Sequence, residues 1–237
     1  KYFTQQNFEI LLNIQKNNKL NLYDTAIVNF LLSKYEKIQK KIKIELEYLN
    51  KFHINIFNSN LHYNNSSQFY YEKIIRKNFN RFNIINKNNN YVKSDNIQPI
   101  FIIGLPRSGS TLIESILTSS KENIISYGEC HFFNMSILDQ IASEIYSNDF
   151  DESKFKFKID LKKFHTEIFE KYSQNNYFKE KKNIKFIDKS LENFFNIEII
   201  YQNFPKVKFL HTYRNPIDSV ISIYQSMLPD LSWAHSI

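Results

Sequence analysis

The sequence predicts an α/β fold in which a parallel sheet is flanked by helices and preceded by an all-α segment. Residues 100–103 form an unbroken apolar run, which is typical of a strand buried on both faces. Apolar runs alternate with helical patterns after it, and this alternation indicates a parallel sheet with ligands at the carboxyl ends of its strands. Before it, apolar residues recur at helical spacing. We therefore divide the chain into a helical part at residues 1–90 and a sheet domain at residues 95–237.

The helical part contains four predicted helices. Apolar residues at helical spacing predict three of them, at residues 8–14, 25–39 and 42–57. Asn65, with Gln68 three residues later, forms an N-cap pair that predicts the start of the fourth helix. Residues 86–95 are polar and aperiodic, so we place the linker to the sheet domain there.

The sheet domain is predicted to alternate strands with helices. Besides the strand at residues 100–103, apolar runs predict strands at residues 123–127, 184–188 and 207–213. Helical patterns predict helices at residues 132–147, 161–177, 191–204 and 217–227. The charged stretch at residues 149–158 is expected to be an exposed loop.

A glycine-bounded loop follows the strand at residues 100–103 and leads into a helix. The whole chain has three glycines, and two of them, Gly104 and Gly109, lie here, which indicates backbone positions that tolerate no Cβ. In such a loop, backbone N–H groups converge on an anion and the helix N-terminus favours its charge. The order of strand, loop and helix therefore predicts a P-loop-type anion site. Its candidate ligands are Arg107, Ser108, Gly109, Ser110 and Thr111.

This loop resembles the Walker A motif G-x-x-x-x-G-K-[ST] but departs from it at one place. Ser110 stands where the motif has its lysine, and the cation of the loop is Arg107 instead. A phosphoryl-transfer enzyme of this type needs that lysine together with Mg²⁺. A sulfuryl group carries less charge than a phosphoryl group, so hydroxyls, backbone donors and a few cations suffice for it.

Residues 106–112, Pro-Arg-Ser-Gly-Ser-Thr-Leu, resemble the 5′-phosphosulfate loop of sulfotransferases that use 3′-phosphoadenosine 5′-phosphosulfate (PAPS). They are most similar to the loops of tyrosylprotein sulfotransferases and of bacterial sulfotransferases fused to tetratricopeptide (TPR) repeats. The resemblance implies PAPS as co-substrate, no metal, and transfer of a sulfuryl group to an acceptor hydroxyl. The helical part resembles one degenerate TPR unit in front of such a domain, although it lacks most of the repeat signature.

A second motif supports this resemblance near the end of the chain. Arg214 ends a predicted strand, Asn215 is placed to cap the next helix, and Pro216 suits its first position. Arg214 with Ser222 eight residues later is similar to the 3′-phosphate site of the sulfotransferases. The alternative interpretation is an ordinary helix start at which Arg214 pairs with Asp218.

The resemblance also suggests the residues of the transfer step. Lys189, at the end of a predicted strand, is similar in position to the family lysine that stabilises the transition state, and Arg107 is the second catalytic cation. Glu129 follows Gly128 and resembles the catalytic base of tyrosylprotein sulfotransferases. Those enzymes carry two successive glutamates, the second being catalytic, whereas Cys130 takes the second place here. His131 is the alternative base, because an ordinary histidine titrates near neutral pH.

The composition suits a protein that binds anionic ligands. The net charge is +7 and the pI about 9.2, but the lysines are scattered and no recognition helix or RNA-binding signature is present, so we expect no nucleic acid partner. A hydrophobic content of 42% is ample for a packed core. The single cysteine, Cys130, excludes an internal disulfide framework and fits a reducing compartment.

We expect a cytoplasmic bacterial protein whose sheet domain is truncated at its C-terminus. No apolar run approaches the ~18 residues of a membrane span, and no signal peptide is present. The chain begins with Lys1 rather than Met, and the domain of the resembling family continues beyond a point that corresponds to Ile237.

Two other functional interpretations stay open at the level of sequence. One is a P-loop nucleotide kinase or hydrolase with an altered Walker A loop, which Ser110 disfavours. The other is an inactive helical-repeat adaptor. For the sulfotransferase, the partners are PAPS and a hydroxyl acceptor, which could be a protein tyrosine, a sugar or a small molecule. The helical part is in addition a candidate surface for a protein partner.

Overall fold

We describe the chain from a computed structural model, which covers residues 3–17, 19–76, 83–85, 97–120, 124–156, 158–174 and 184–235. The chain forms two compact units. The helical unit comprises Lys1–Lys73 and Val220–Ile237, and the sheet unit comprises Ile74–Ser219. The predicted linker at residues 86–95 lies outside the described residues.

The helical unit contains four α-helices: α1 (Gln5–Asn17), α2 (Leu22–Ile38), α3 (Ile42–Ser59) and α4 (Leu61–Phe69). A π-helical turn, Tyr70–Ile75, follows α4, and a short 3₁₀ turn, Ser232–Ala234, lies near the C-terminus. The Asn21 side chain caps α2 by accepting from the Asp24 N–H at 2.8 Å. The core joins α2 to α3 through Ala26, Phe52 and Ile56. The predicted N-terminal helical segment is confirmed.

The predicted start of the fourth helix is wrong. α4 begins at Leu61, so Asn65 and Gln68 lie inside it and do not cap it. The reason is tertiary, because the Asn64 side chain donates to the Phe57 carbonyl of α3 at 2.8 Å and is buried. This contact lets the helix start directly after α3.

The sheet unit is built on four parallel strands: β2 (Ile97–Gly104), β3 (Ile125–Ser126), β5 (Ile184–Asp188) and β6 (Lys208–Thr212). They lie in the order β3-β5-β2-β6. The α/β class and the parallel sheet are therefore confirmed. The central strand β2 is buried because Phe101, Ile102 and Ile103 cover both of its faces.

Helices follow the strands along the chain: α5 (Ser110–Thr118), α6 (Phe132–Ile145), α7 (Leu161–Ser173), α8 (Ile197–Asn203) and α9 (Pro216–Tyr224). The boundary between the two units falls within α9. The predicted helix at residues 191–204 opens instead with a 3₁₀ turn, Leu191–Asn196. A second, two-stranded parallel sheet of β1 (Asn83–Ile85) and β4 (Lys158–Asp160) was not predicted.

The stretch at residues 149–158 is only partly the exposed loop that its charge suggests. Phe155 is buried and its ring lies 5.6 Å from that of Phe150. The contact between these two aromatic side chains was not predicted, because the residues around them in the sequence are mostly charged.

The register brings the ends of three strands to one edge of the sheet. Gly104 at the end of β2 lies opposite Thr212 at the end of β6, and β5 ends on the other side of β2. Gly104 has no room for a side chain, because a Cβ there would lie 2.5 Å from the Thr212 carbonyl oxygen. The segments that follow these strands carry Arg107, Lys189 and Arg214.

Candidate functional site

The glycine-bounded loop between β2 and α5 is held by short hydrogen bonds. The Ser108 hydroxyl donates to the Leu105 carbonyl at 2.6 Å and lies 2.7 Å from the Thr212 hydroxyl of β6. Gly109 has a φ of +94° and its carbonyl accepts the N–H groups that start α5. Arg107 also has a positive φ, +66°, which is unusual for a residue with a Cβ. The loop therefore presents Arg107 and the first turn of α5 at the carboxyl edge of the sheet.

The two motifs that the sequence separates by about a hundred residues meet in the structure. The Arg214 guanidinium donates from Nη1 to the carbonyl oxygen of Arg107 at 3.2 Å. Asn215 caps α9 as expected, since its side chain accepts from the Ile217 N–H at 2.9 Å. Both arginines are exposed. Ser222 lies further along α9, in the helical unit, and is half-buried.

Lys189 lies between two carboxylates. Its Nζ is 2.5 Å from Glu129 Oε1 and 3.7 Å from Glu114 Oε2. The lysine side chain is 7% exposed, whereas that of Glu129 is 55% exposed. The Lys189 N–H donates to the Gly128 carbonyl at 2.8 Å, which fixes the segment after β5 against the segment after β3. The structure thus brings together two of the predicted catalytic residues, Lys189 and Glu129.

Glu114 is a site residue that the sequence reasoning missed. It lies on α5 one turn after Ser110, and its side chain is 16% exposed. The available signal was composition, because Glu114 is the one charged residue in the Ser110–Thr118 segment. A carboxylate that is mostly buried needs a polar partner, and here the partners are Lys189 and Ser126.

Hydrogen bonds to a buried carboxyl group, that of Asp188, connect residues next to Glu129 and Lys189. Asp188 is fully buried and accepts from the Ser190 N–H at 2.8 Å, from the Cys130 thiol at 3.2 Å and from the Tyr172 hydroxyl. Burial raises the pKa of Asp188, and the Tyr172 and Ser190 hydrogen bonds oppose that rise. Burial, together with the nearby Asp188, also raises the pKa of the Cys130 thiol far above its usual range. Cys130 is therefore a hydrogen-bond donor and not a reactive thiolate.

His131 has a different environment from Glu129. Its backbone N–H donates to the Ser190 hydroxyl at 2.8 Å, and its Nδ1 pairs with Glu192. The hydrogen bond that Glu192 accepts from His131 raises the pKa of His131, and partial burial opposes that rise. His131 faces a carboxylate, whereas Glu129 faces the ammonium group of Lys189.

Two features are absent from the residues that the structure describes. Among them, no group of three or more histidine, cysteine, aspartate or glutamate residues is arranged to hold a metal ion. In the part of the chain that the structure covers, no helix has the length and apolar character needed to cross a membrane.

Fold and site together define an α/β protein with a glycine-bounded loop between a buried strand and a helix N-terminus, a geometry that binds anions. The family model described as "Sulfotransferase family" matches residues 99–236, which is more than half of the chain. The chain belongs to this family. The family expected from the sequence is confirmed, while the closer likeness to tyrosylprotein and TPR-fused enzymes stays a prediction.

The chain is also similar to a curated protein of Aquifex aeolicus (strain VF5) that is called "Uncharacterized protein". The two are 29% identical over 134 residues, which is 54% of this chain and 17% of the relative. The chain therefore spans less than a fifth of that relative's length. No solved structure matches the chain significantly.

Proposed function

We propose that this protein is a PAPS-dependent sulfotransferase that moves the sulfuryl group of PAPS to an acceptor hydroxyl. The observation that carries the proposal is the 3.2 Å hydrogen bond from Arg214 to the Arg107 carbonyl. It places the two cations expected to hold the two ends of a bisphosphate nucleotide on neighbouring segments. The Lys189–Glu129 pair follows the ends of the other two strands at the same edge of the sheet.

The donor site that we propose is of the P-loop type. The 5′-phosphosulfate would be held by the backbone and side chains of the glycine-bounded loop, from Arg107 to Thr111. Arg214 would hold the 3′-phosphate. The exposure of both arginine residues supports this assignment, because an anionic ligand from solvent can reach an exposed residue.

The transfer step needs a base and stabilising cations. The acceptor oxygen attacks sulfur while the bond between sulfur and the bridging phosphate oxygen breaks. The proton of the acceptor goes to Glu129, and adenosine 3′,5′-bisphosphate leaves with the electron pair of the broken bond. We assign Lys189 and Arg107 to the charge that develops on the sulfuryl and bridging oxygens.

The surroundings of the two candidate bases favour Glu129. Its carboxylate is more than half exposed and lies beside Lys189, so it can approach both an acceptor and the transferring group. His131 is paired with Glu192, which raises its pKa and keeps a larger fraction of the imidazole protonated near neutral pH. A protonated imidazole cannot accept the acceptor's proton.

The helical part belongs to the proposal in a second role. We propose that residues 1–90 are a TPR-like segment that binds a protein partner or acceptor, and that residues 95–237 form the transferase domain. The helix pair of α2 and α3, joined through Phe52, supports this. The acceptor class stays open among protein tyrosine, sugar and small-molecule hydroxyls.

Calorimetric titration tests the donor assignment. The full chain is titrated with adenosine 3′,5′-bisphosphate without metal and, separately, with ATP plus Mg²⁺. We expect saturable binding of the bisphosphate and much weaker binding of ATP. Preference for ATP with Mg²⁺ would instead favour a nucleotide kinase or hydrolase, and no binding of either ligand would favour an inactive adaptor.

A further inference from the structure

We propose that Glu114 is a positioning residue that aligns Lys189 and balances its charge during sulfuryl transfer. The inference rests on the proposed function and extends it, because it assigns a role to a residue outside both nucleotide motifs. Glu114 lies on α5, the helix that opens at the glycine-bounded loop. It therefore connects the donor loop to the lysine of the transfer step.

The contacts of Glu114 close a ring of four residues. Ser126 accepts from the Gly128 N–H at 3.0 Å and donates from its hydroxyl to Glu114 Oε1. The Gly128 carbonyl accepts from the Lys189 N–H at 2.8 Å. The Lys189 Nζ lies 3.7 Å from Glu114 Oε2, and this ion pair closes the ring. The ring joins α5, β3 and the segment after β5 around one ammonium group.

Ser126 fixes the orientation of the Glu114 carboxylate. A serine hydroxyl has one proton to donate, and here the Gly128 N–H occupies its acceptor side. The proton is therefore directed at Glu114 Oε1, which leaves Oε2 facing Lys189. The carboxylate is oriented before any ligand binds.

The charge balance of the transfer step explains why Lys189 has two carboxylates. Glu129 becomes neutral when it takes the acceptor's proton. Were Glu129 the sole partner, a lysine whose side chain is 7% exposed would lose its counter-charge at that moment. Glu114 does not exchange protons in this step and remains an anion beside Lys189. The lysine can then act on the sulfuryl oxygens while Glu129 acts on the acceptor.

Four variants of the full chain test this role with radiolabelled PAPS and a simple phenol as acceptor. Glu114→Gln keeps an acceptor for Ser126 but removes the charge. We expect kcat to fall by ~10- to 100-fold, by analogy with the loss of the outer partner of a metal ligand. The KM for PAPS and the affinity for adenosine 3′,5′-bisphosphate should stay within about twofold, since the nucleotide ligands are untouched. Glu114→Asp, which keeps the charge, should recover much of kcat.

Ser126→Ala and Glu144→Gln are the companion variants. Ser126→Ala leaves the Glu114 charge in place and removes its orientation, so we expect a smaller loss of kcat than for Glu114→Gln. It also keeps the test decisive if Glu114→Gln fails to fold. Glu144 is an exposed glutamate on α6, and its replacement by glutamine should leave kcat unchanged.

The outcomes separate this inference from the proposed function. A wild-type chain that binds no bisphosphate and transfers no sulfuryl group to phenol or water overturns the proposed function and the inference with it. A wild-type chain that is active, with Glu114→Gln equal to it in kcat, overturns the inference alone. A parallel loss of kcat and of bisphosphate affinity in both Glu114→Gln and Glu114→Asp would show a general structural role and would also overturn it.

Discussion

Replacing Gly104 with alanine tests whether the close approach of β2 and β6 aligns the anion site. Gly104 has a φ of +140°, and a Cβ on it would lie 2.5 Å from the Thr212 carbonyl oxygen and 2.8 Å from the Thr212 hydroxyl. Real Cβ contacts essentially never fall below 3.0 Å, so the carbonyl would have to retreat by at least 0.5 Å. That oxygen is backbone, and the strand that carries it leads directly into Arg214.

Two effects determine how much the free energy of unfolding falls in Gly104→Ala. Forcing a residue with a Cβ into this region of φ costs about 1–3 kcal/mol. Displacing packed backbone to accept an extra methyl group costs about 1–3 kcal/mol more. We expect the free energy of unfolding to fall by roughly 2–6 kcal/mol, against a typical total of about 5–15 kcal/mol. In a chain of this size each kcal/mol lowers Tm by roughly 2–4 °C.

Thermal and denaturant unfolding measure the stability, and calorimetric titration with adenosine 3′,5′-bisphosphate measures the effect on the site. Gly128→Ala is the matched control. Gly128 also has a positive φ, +60°, but a Cβ there would meet nothing within 4 Å. It should therefore lose only the ~1–2 kcal/mol of left-handed backbone strain. Equal losses for Gly104→Ala and Gly128→Ala would refute the idea that contact with β6 is what excludes a side chain at Gly104.

Three further predictions concern the charged groups of the site. Arg214→Ala should weaken adenosine 3′,5′-bisphosphate binding by ~1.5–3 kcal/mol and leave adenosine 5′-phosphate nearly unaffected in the same titration; equal losses would exclude a 3′-phosphate role. Glu129→Gln should lower sulfuryl transfer by ~10²–10⁴-fold with bisphosphate binding intact, and His131→Ala should cost much less; the reverse ranking would exchange the two roles. Because the pKa of His131 is raised in the folded chain, the pairing of protonated His131 with Glu192 stabilises the fold. This stabilisation is fully present below the unfolded pKa of about 6.5 and is lost as the pH rises through the pKa of the folded chain. Tm of the wild type should therefore decline over that window relative to Glu192→Gln, and identical pH profiles would contradict the pairing.

Much of the sheet unit could be predicted because burial leaves a simple sequence pattern. The strands β5 and β6 end within one residue of their predicted ends, since apolar runs mark them clearly. The pairing of β1 with β4 could not be predicted. Each strand has three residues, too few to show a period, and their pairing joins segments that are distant in sequence.

In the candidate site, too, some contacts could be predicted from the sequence and others could not. Parallel strands end at one edge, so the meeting of the Arg107 loop with Arg214 was foreseeable from the two motifs. The partnership of Glu114 with Lys189 was not, because it depends on which turn of α5 faces the end of β5. The cap assigned to Asn65 failed for a related reason, since the contact between Asn64 and α3 decides where α4 begins.

The three cations of the candidate site, Arg107, Arg214 and Lys189, differ in exposure. This difference suits them to different roles in the proposed function. Arg107 and Arg214 are exposed, so water screens their charges until a ligand displaces it, and in the proposed function they capture the nucleotide. Lys189 is 7% exposed and already held by two carboxylates, so it offers little to initial capture. In the proposed function, the Lys189 charge acts at short range and with little access to water, and under these conditions a charge stabilises a transferring group most effectively. We therefore expect substitutions at the arginines to alter mainly affinity, and substitutions at Lys189, Glu114 and Glu129 to alter mainly the rate of transfer.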